Sequence, residues 1–211
     1  MVKEGYWYGL PLALAAAGCD YLGLYWAAIL FGALTLLVLN FFRDPNRLIP
    51  SDPGLIVSPA DGRVVQIVEE TFEGRRVRRI SIFMSPLDVH VNRSPIAGTV
   101  GHVRYHRGSF RVASQPRASA ENEHNIFTVV GGCDADGGRD IVVVKQIAGI
   151  LARRIVFWKH EGDRLERGER VGLIKFGSRV DVMLHPSAEV RVNLGDRVKA
   201  GSSILGVSHS A

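Results

Sequence analysis

Residues 189–201 read EVRVNLGDRVKAG. Val190, Val192 and Leu194 alternate with Glu189, Arg191 and Asn193, the period-2 pattern of a half-buried strand. Gly195-Asp196 then supplies a tight turn, and Gly201 supplies another. The same device stands 33 residues earlier, as Gly162-Asp163-Arg164-Leu165 followed by Gly168. A second echo links Pro59-Ala60-Asp61-Gly62-Arg63-Val64 to Pro95-Ile96-Ala97-Gly98-Thr99-Val100. Between these points lie further short β-branched runs: Arg63–Val68, Val77–Phe83, Thr99–Arg104, Ile126–Val130, Ile141–Ile147, Arg154–Phe157, Val171–Lys175, Val180–Leu184 and Ile204–Val207. Gly, Pro and Asp punctuate them. Only Ile147–Arg154 reads as a short helix.

The expected body is therefore mainly β. Its paired turns resemble those of lipoyl and biotinyl carrier modules, which are small barrel-sandwich hybrids. A generic sandwich with common Gly-Asp turns stays open beside that reading. Residues 108–125 (GSFRVASQPRASAENEHN) break the pattern with an 18-residue, mostly polar stretch lacking strand periodicity. A segment of that length inside a compact domain reads as a binding loop or lid.

Composition divides the chain in two. Of the 26 Lys+Arg and 21 Asp+Glu, residues 1–42 hold only Lys3, Glu4 and Asp20. The head thus carries net −1, and residues 43–211 carry net +6, from 25 basic and 19 acidic residues. From Gly5 to Phe42, 29 of 38 residues are apolar or aromatic. Tyr21–Leu39 is 19 residues without a charge, enough for a helix across a bilayer core of roughly 30 Å. Trp7, Trp26, Tyr6, Tyr8, Tyr21 and Tyr25 suit a membrane interface. A helical hairpin broken at Gly18-Cys19-Asp20 is expected, ahead of a single span or a buried soluble pair. Arg43 and Arg47 place the body on the cytoplasmic face of the cell membrane. Two Cys, at 19 and 133, exclude a disulfide framework and a Cys-based zinc site.

The chemistry-bearing candidates are few. No HxH, HExxH, GxGxxG, Walker A or GxSxG occurs, so no metal ligand set or nucleotide loop is expected. Arg75, Arg76, Arg78 and Arg79 form a basic cluster. With an apolar head attached, an anionic lipid surface is a better partner for it than nucleic acid. Asp61 lies in the PADG turn, and His90 follows Ser85-Pro86-Leu87-Asp88 just after a strand. Gly177-Ser178 sits between two strand-like runs, in Lys175-Phe176-Gly177-Ser178-Arg179-Val180-Asp181. Glycine there permits a strained backbone that sets a carbonyl beside a hydroxyl.

These stretches together resemble phosphatidylserine decarboxylase proenzymes in their short bacterial form. The resemblance rests on PADGRV (59–64), FMSPLDVHVNRSPIAGTV (83–100), ASAENEHN (118–125), QIAGILARRI (146–155) and GLIKFGSRVDV (172–182). It implies self-processing at Gly177-Ser178. The hydroxyl of Ser178 attacks the Gly177 carbonyl, and elimination and hydrolysis leave a covalent pyruvoyl group. A β chain, 1–177, and an α chain, 178–211, would result. It further implies that the pyruvoyl ketone forms a Schiff base with phosphatidylserine, releasing CO₂ and phosphatidylethanolamine. Asp61 and His90 match the family's supporting residues, and His90 is the candidate proton donor. Arg93 stands where longer members carry a second His, so their Asp-His-Ser relay does not transfer intact. The resemblance is compatible with a homo-oligomer. The alternative from another class is a membrane-tethered lipoyl- or biotinyl-like adaptor without catalysis; a zinc peptidase on a β scaffold is disfavoured by the missing HxH.

Overall fold

A computed structural model of the chain describes residues 1–111, 118–133, 139–149, 154–175 and 177–208. It divides into two compact units, Met1–Asn46 and Arg47–Ala211.

The first unit is a pair of helices, α1 (Lys3–Tyr21) and α2 (Tyr25–Phe41). The chain turns at Leu22-Gly23-Leu24, with Gly23 at φ +74°. Gly18-Cys19-Asp20, expected as the break, instead completes α1: it carries no Pro and no left-handed residue, whereas Gly23 supplies one. Small residues let the helices approach closely. A Cβ on Gly5 would stand 2.8 Å from Phe42 Cβ, and one on Gly9 2.9 Å from Leu39 Cδ2. The Val2 N–H donates to Phe42 O at 3.1 Å and closes the open end. Among the described residues no helix is long and apolar enough to cross a membrane. The 17 residues of α2 rise only about 26 Å, short of a core of about 30 Å.

Among the described residues the second unit is β, apart from one turn of helix. Its elements are β1 (Leu55–Val57), β2 (Gly62–Phe72), β3 (Arg75–Met84), β4 (Val91–Arg93), β5 (Gly98–His106), α3 (Ala118–Glu121), β6 (His124–Cys133) and β7 (Arg139–Ala148). There follow β8 (Ile155–Phe157), β9 (Arg164–Leu165), β10 (Arg170–Ile174), β11 (Ser178–Leu184), β12 (Glu189–Val190), β13 (Arg197–Val198) and β14 (Ile204–Val207). A curled eight-stranded sheet runs β13-β2-β3-β11-β7-β6-β5-β9, flanked by three-stranded sheets β1-β14-β12 and β4-β10-β8. Val64, Ile80, Ile82, Met84, Phe127, Val129, Val144, Val180, Val182 and Leu184 line the inner face of the large sheet and are buried. Truncating Phe127 to Ala would cost about 3–5 kcal/mol.

The sequence echoes occupy equivalent places. Gly195 N–H donates to Val64 O at 2.8 Å, and Val64 N–H donates to Asp196 O at 2.9 Å. Gly162 and Asp163 make the same exchange with Val100, at 2.8 Å each. Gly201 N–H meets Ser58 O and Gly168 N–H meets Ser94 O, both at 2.8 Å. The φ angles match too: +94° and +91° at Gly195 and Gly162, +77° and +76° at Gly201 and Gly168. Only glycine adopts these values without strain. The copies interlock, for Val57 N–H donates to Pro95 O and Arg93 N–H to Pro59 O, each at 2.9 Å. They differ at one telling position: Asp61 in the first copy, Ala97 in the second.

Two strand expectations need correction. The ladder of Glu189–Leu194 stops at Val190, and Leu194 is 69% exposed, because the chain must already bend toward the Gly195 turn. The helix expected over Ile147–Arg154 begins instead as the end of β7, at Ile147 and Ala148; residues 150–153 lie outside the described residues. So do residues 112–117 of the polar segment, Phe176 and His209. The described ends of the polar segment are tied together by the Ser109–Asn122 bridge.

Candidate active site

The Gly177-Ser178 step enters the middle of the large sheet. Ser178 is the first residue of β11 and faces Met84 of β3 on one side and Ala148 of β7 on the other. Its side chain points to the apolar inner face and is fully buried. The hydroxyl donates to the Met84 thioether sulfur at 3.3 Å, a weak acceptor that stabilises the hydroxyl little. Gly177 has φ +61°, and a Cβ added there would meet nothing within 4 Å. Glycine is thus required by the backbone conformation rather than by space.

His90 comes to the same step from the turn after β3. Asp88 Oδ2 accepts from Ser85 N–H at 2.8 Å and shapes that turn. The imidazole is buried, with Nδ1 2.9 Å from Asp88 O and Nε2 3.3 Å from Gly177 N. A carbonyl can only accept and an amide N–H can only donate. The two contacts therefore fix a neutral ring with its proton on Nδ1 and its Nε2 lone pair facing Gly177.

Asp61 lies at the same end of the sheet, just before β2. Oδ2 accepts from Arg47 Nη2 and Oδ1 from Ala200 N–H, at 2.7 and 2.8 Å. Burial raises its pKa above the ordinary carboxylate value; the Ala200 hydrogen bond and the Arg47 charge oppose this in part. Arg93, at the position of the missing second His, donates through Nη1 to Gly168 O at 3.0 Å and pins the turn of the second copy. The structure thus brings His90, Gly177 and Ser178 together, and gives Asp61 and Arg93 partners of their own.

Three polar residues here were not singled out in the sequence. Asn125 Nδ2 donates to Gln146 Oε1 at 2.9 Å, and Gln146 Nε2 donates to Asn92 Oδ1 at 2.8 Å. Asn92 Nδ2 ends the line 3.9 Å from Met84 Sδ. All three are at most 1% exposed. A signal was available: Gln146 shares the inward parity of Val142, Val144 and Ala148, and Asn125 that of Phe127 and Val129.

The outer face of the same strands is ionic. Arg179 grips Asp181 through Nε at 2.6 Å and Nη2 at 3.2 Å, and reaches Ser81 at 2.8 Å. Arg79 contacts Glu70, Gln66, Ser81 and Asp181. Ser119 Oγ donates to Asp181 Oδ2 at 2.9 Å, and Lys145 Nζ donates to Ser119 O, so α3 is fastened over β11. Burial lowers the Lys145 pKa. This corrects the basic cluster: Arg79 belongs to the network, and Arg78 bonds Glu69 and Ala188 O. Only Arg75 and Arg76, beside the β2–β3 turn, are exposed. A groove of about 760 Å³ at the β5–β9 edge contains none of the candidate residues.

Fold and site define a β protein whose central strand begins at a buried, histidine-contacted Gly-Ser step. The model of the family described as phosphatidylserine decarboxylase matches residues 34–206. A phosphatidylserine decarboxylase proenzyme of Solibacter usitatus is 50% identical over 205 residues, covering 97% of this chain and 95% of the relative. Proenzymes of the same name from Symbiobacterium thermophilum and Oleidesulfovibrio alaskensis are 48% and 45% identical, each over 92% of this chain and over 90% and 87% of their own. The chain belongs to the phosphatidylserine decarboxylase family.

Proposed function

We propose that this protein decarboxylates phosphatidylserine to phosphatidylethanolamine, with a pyruvoyl group made from its own Ser178. The observation that carries the reading is the Gly177-Ser178 step itself: left-handed glycine, buried hydroxyl and the His90 contact, in a chain of this family. In maturation the Ser178 Oγ attacks the Gly177 carbonyl carbon. The Oγ proton ends on the Ser178 nitrogen as the peptide C–N bond breaks, leaving an ester. Loss of the Cα proton and of the Gly177 carboxylate, then addition of water and loss of ammonia, converts Ser178 to the pyruvoyl group. The surroundings fit such a group, because ladders from β3 and β7 hold residue 178 from both sides. A pyruvoyl carbonyl supplies an electrophile for the substrate amine and takes up the electrons released with CO₂.

The chain's own residues do the rest. Before the cut, His90 Nε2 holds the Gly177 amide. After it, the same nitrogen can hold the proton returned to the product carbon, the usual work of imidazole near neutral pH. Asp61, anchored by Arg47 and Ala200, supports processing from the adjacent strand end. The inner strands and interlocked copies support a barrel-sandwich-hybrid description of the body. Intact mass of purified protein tests the whole reading. Fragments 1–177 and 178–211, the second blocked and lighter than a serine-started peptide by one ammonia, are expected. Ser178→Ala should leave one inactive chain; cleavage of that variant would sink the mechanism.

The head is read as a hairpin dipping into the cell membrane from the cytoplasmic face. Supporting this, Trp7, Tyr21 and Trp26 are 80–90% exposed, with Leu10, Leu14, Leu30, Leu36 and Leu37 exposed around them. Burial in lipid would cover that surface. Arg75 and Arg76 add a salt-sensitive attraction to anionic headgroups. Full-length protein should resist extraction from membranes by high salt. A chain starting at Asp44 should be extracted yet still self-cleave. Salt extraction of the full-length protein would overturn the insertion.

A further inference from the structure

The geometry points to Asn92 as the hydrogen-bond donor for the oxyanion that forms on the Gly177 carbonyl as Ser178 attacks. This rests on the self-processing reading above.

The argument begins with direction. Asn92 Nδ2 lies 3.4 Å from Pro59 O. That carbonyl can only accept, so the NH₂ of Asn92 must face it and the amide oxygen must face away. The orientation of Gln146 follows, since Asn92 Oδ1 needs a donor, and that of Asn125 follows from Gln146. The three amides therefore form a line of donors aimed one way, from Asn125 through Gln146 to Asn92 Nδ2. In a buried chain of this kind each bond polarises the next and strengthens the last N–H.

The second step is how poorly that last N–H is used. The two bonds inside the line are 2.9 and 2.8 Å. Among the described residues the terminal NH₂ has just the 3.4 Å contact with Pro59 O and the 3.9 Å contact with a thioether. A buried amide with such long contacts is costly unless something else comes to it. The same sulfur, Met84 Sδ, accepts from Ser178 Oγ at 3.3 Å. The polarised donor and the nucleophile thus share one soft neighbour, and all three side chains are fully buried. A donor idle in the ground state and close to where negative charge develops is what lowers the barrier of acyl transfer.

The step balances within the chain. The Oγ–C bond forms, and the carbonyl π electrons move onto the Gly177 oxygen, where Asn92 Nδ2–H meets them. They return as the C–N bond breaks, and the Oγ proton finishes on nitrogen. Asn92 supplies no proton, so its loss should lower the rate at every pH without changing the shape of the pH profile.

The test follows cleavage in pulse-labelled, full-length chains made by cell-free synthesis. Asn92→Ala and the near-isosteric Asn92→Asp should each slow cleavage about 10²–10³-fold. Gln146→Met, which leaves Asn92 in place but unpolarised, should slow it less. Hydroxylamine, which cuts the ester, should not restore the rate, because the defect precedes the ester. Wild-type cleavage by any folded Asn92 variant overturns the inference, as does rescue by hydroxylamine or, for Asn92→Ala, a shifted pH profile. If Asn92→Ala fails to fold, Asn92→Asp and Gln146→Met decide by the same outcomes. A wild-type chain that never cuts at 177/178 would instead defeat the self-processing reading.

Discussion

The two faces of β11 hold buried polar groups of opposite character. Outward, Arg179 and Asp181 sit among Arg79, Ser81, Lys145 and Ser119, and Asp181 alone receives both arginines and a hydroxyl. Inward, among the described residues, the Ser178 hydroxyl bonds a thioether, and the amide line ends on long contacts. Buried charge is tolerated when every group is matched; on the outer face matching gives a fastened strand. On the inner face matching is incomplete, and it is there that the proposed chemistry falls. On that reading, satisfaction of hydrogen bonds, more than polarity, separates architecture from chemistry in this sheet.

The largest effects should come from breaking each face in turn. His90→Gln keeps an acceptor for the Gly177 N–H but cannot carry a proton. It should still be cut at 177/178, while decarboxylation by the cut protein falls about 10²–10⁴-fold. Wild-type turnover would remove His90 from the chemistry. Asp181→Ala leaves Arg179 buried without its acid, at a cost of about 3–5 kcal/mol. Thermal denaturation should then fall by about 10 °C, measured in the uncut Ser178→Ala background, while chains held cold still cleave. Loss of cleavage at full stability would blur the distinction between faces.

A smaller effect sharpens the outer face. The His106 and His124 rings stack there at 4.8 Å, and His124 is held below the ordinary imidazole value of 6.5, chiefly by burial and then by Lys145 and His106 against the opposing Asn122 bond. The unfolded chain therefore binds a proton at His124 more readily than the folded one. Stability contributed at this site is present above pH 6.5 and is lost as pH falls through 6.5 toward the lower folded value. His124→Asn should flatten that slope in denaturation curves at pH 5 to 7; an unchanged slope would assign acid sensitivity elsewhere.

Much of this was legible in the chain. The Gly-Asp turns, the PADGRV and PIAGTV pair and the β-branched runs give the interlocked body, because a positive φ forces glycine and alternation reports burial. Ser178 and His90 stood out through their neighbours. The amide line did not, although Gln146 breaks an otherwise apolar inward row. Alternation shows which face a residue takes, but not that Asn92, 54 positions away, meets it. The arginine cluster misled for a related reason: strand parity puts Arg79 on the outer face, but that Glu70, Ser81 and Asp181 bury it there is revealed only by tertiary pairing. The turn at Gly23 was displaced by a few residues because one glycine in an apolar run looks much like another.

A cut before Ser178 would fall inside the sheet, and that shapes the afterlife of the protein. The 34 residues from 178 to 211 supply β11 between β3 and β7, β13 beside β2 and β14 beside β1. A piece so short cannot build a core of its own, yet it is woven through its partner's at three places. The nicked molecule would therefore neither shed its fragment on dilution nor find its way home once denatured. Its endurance would be a lifetime rather than an equilibrium, set by folding that happened once, as a single chain.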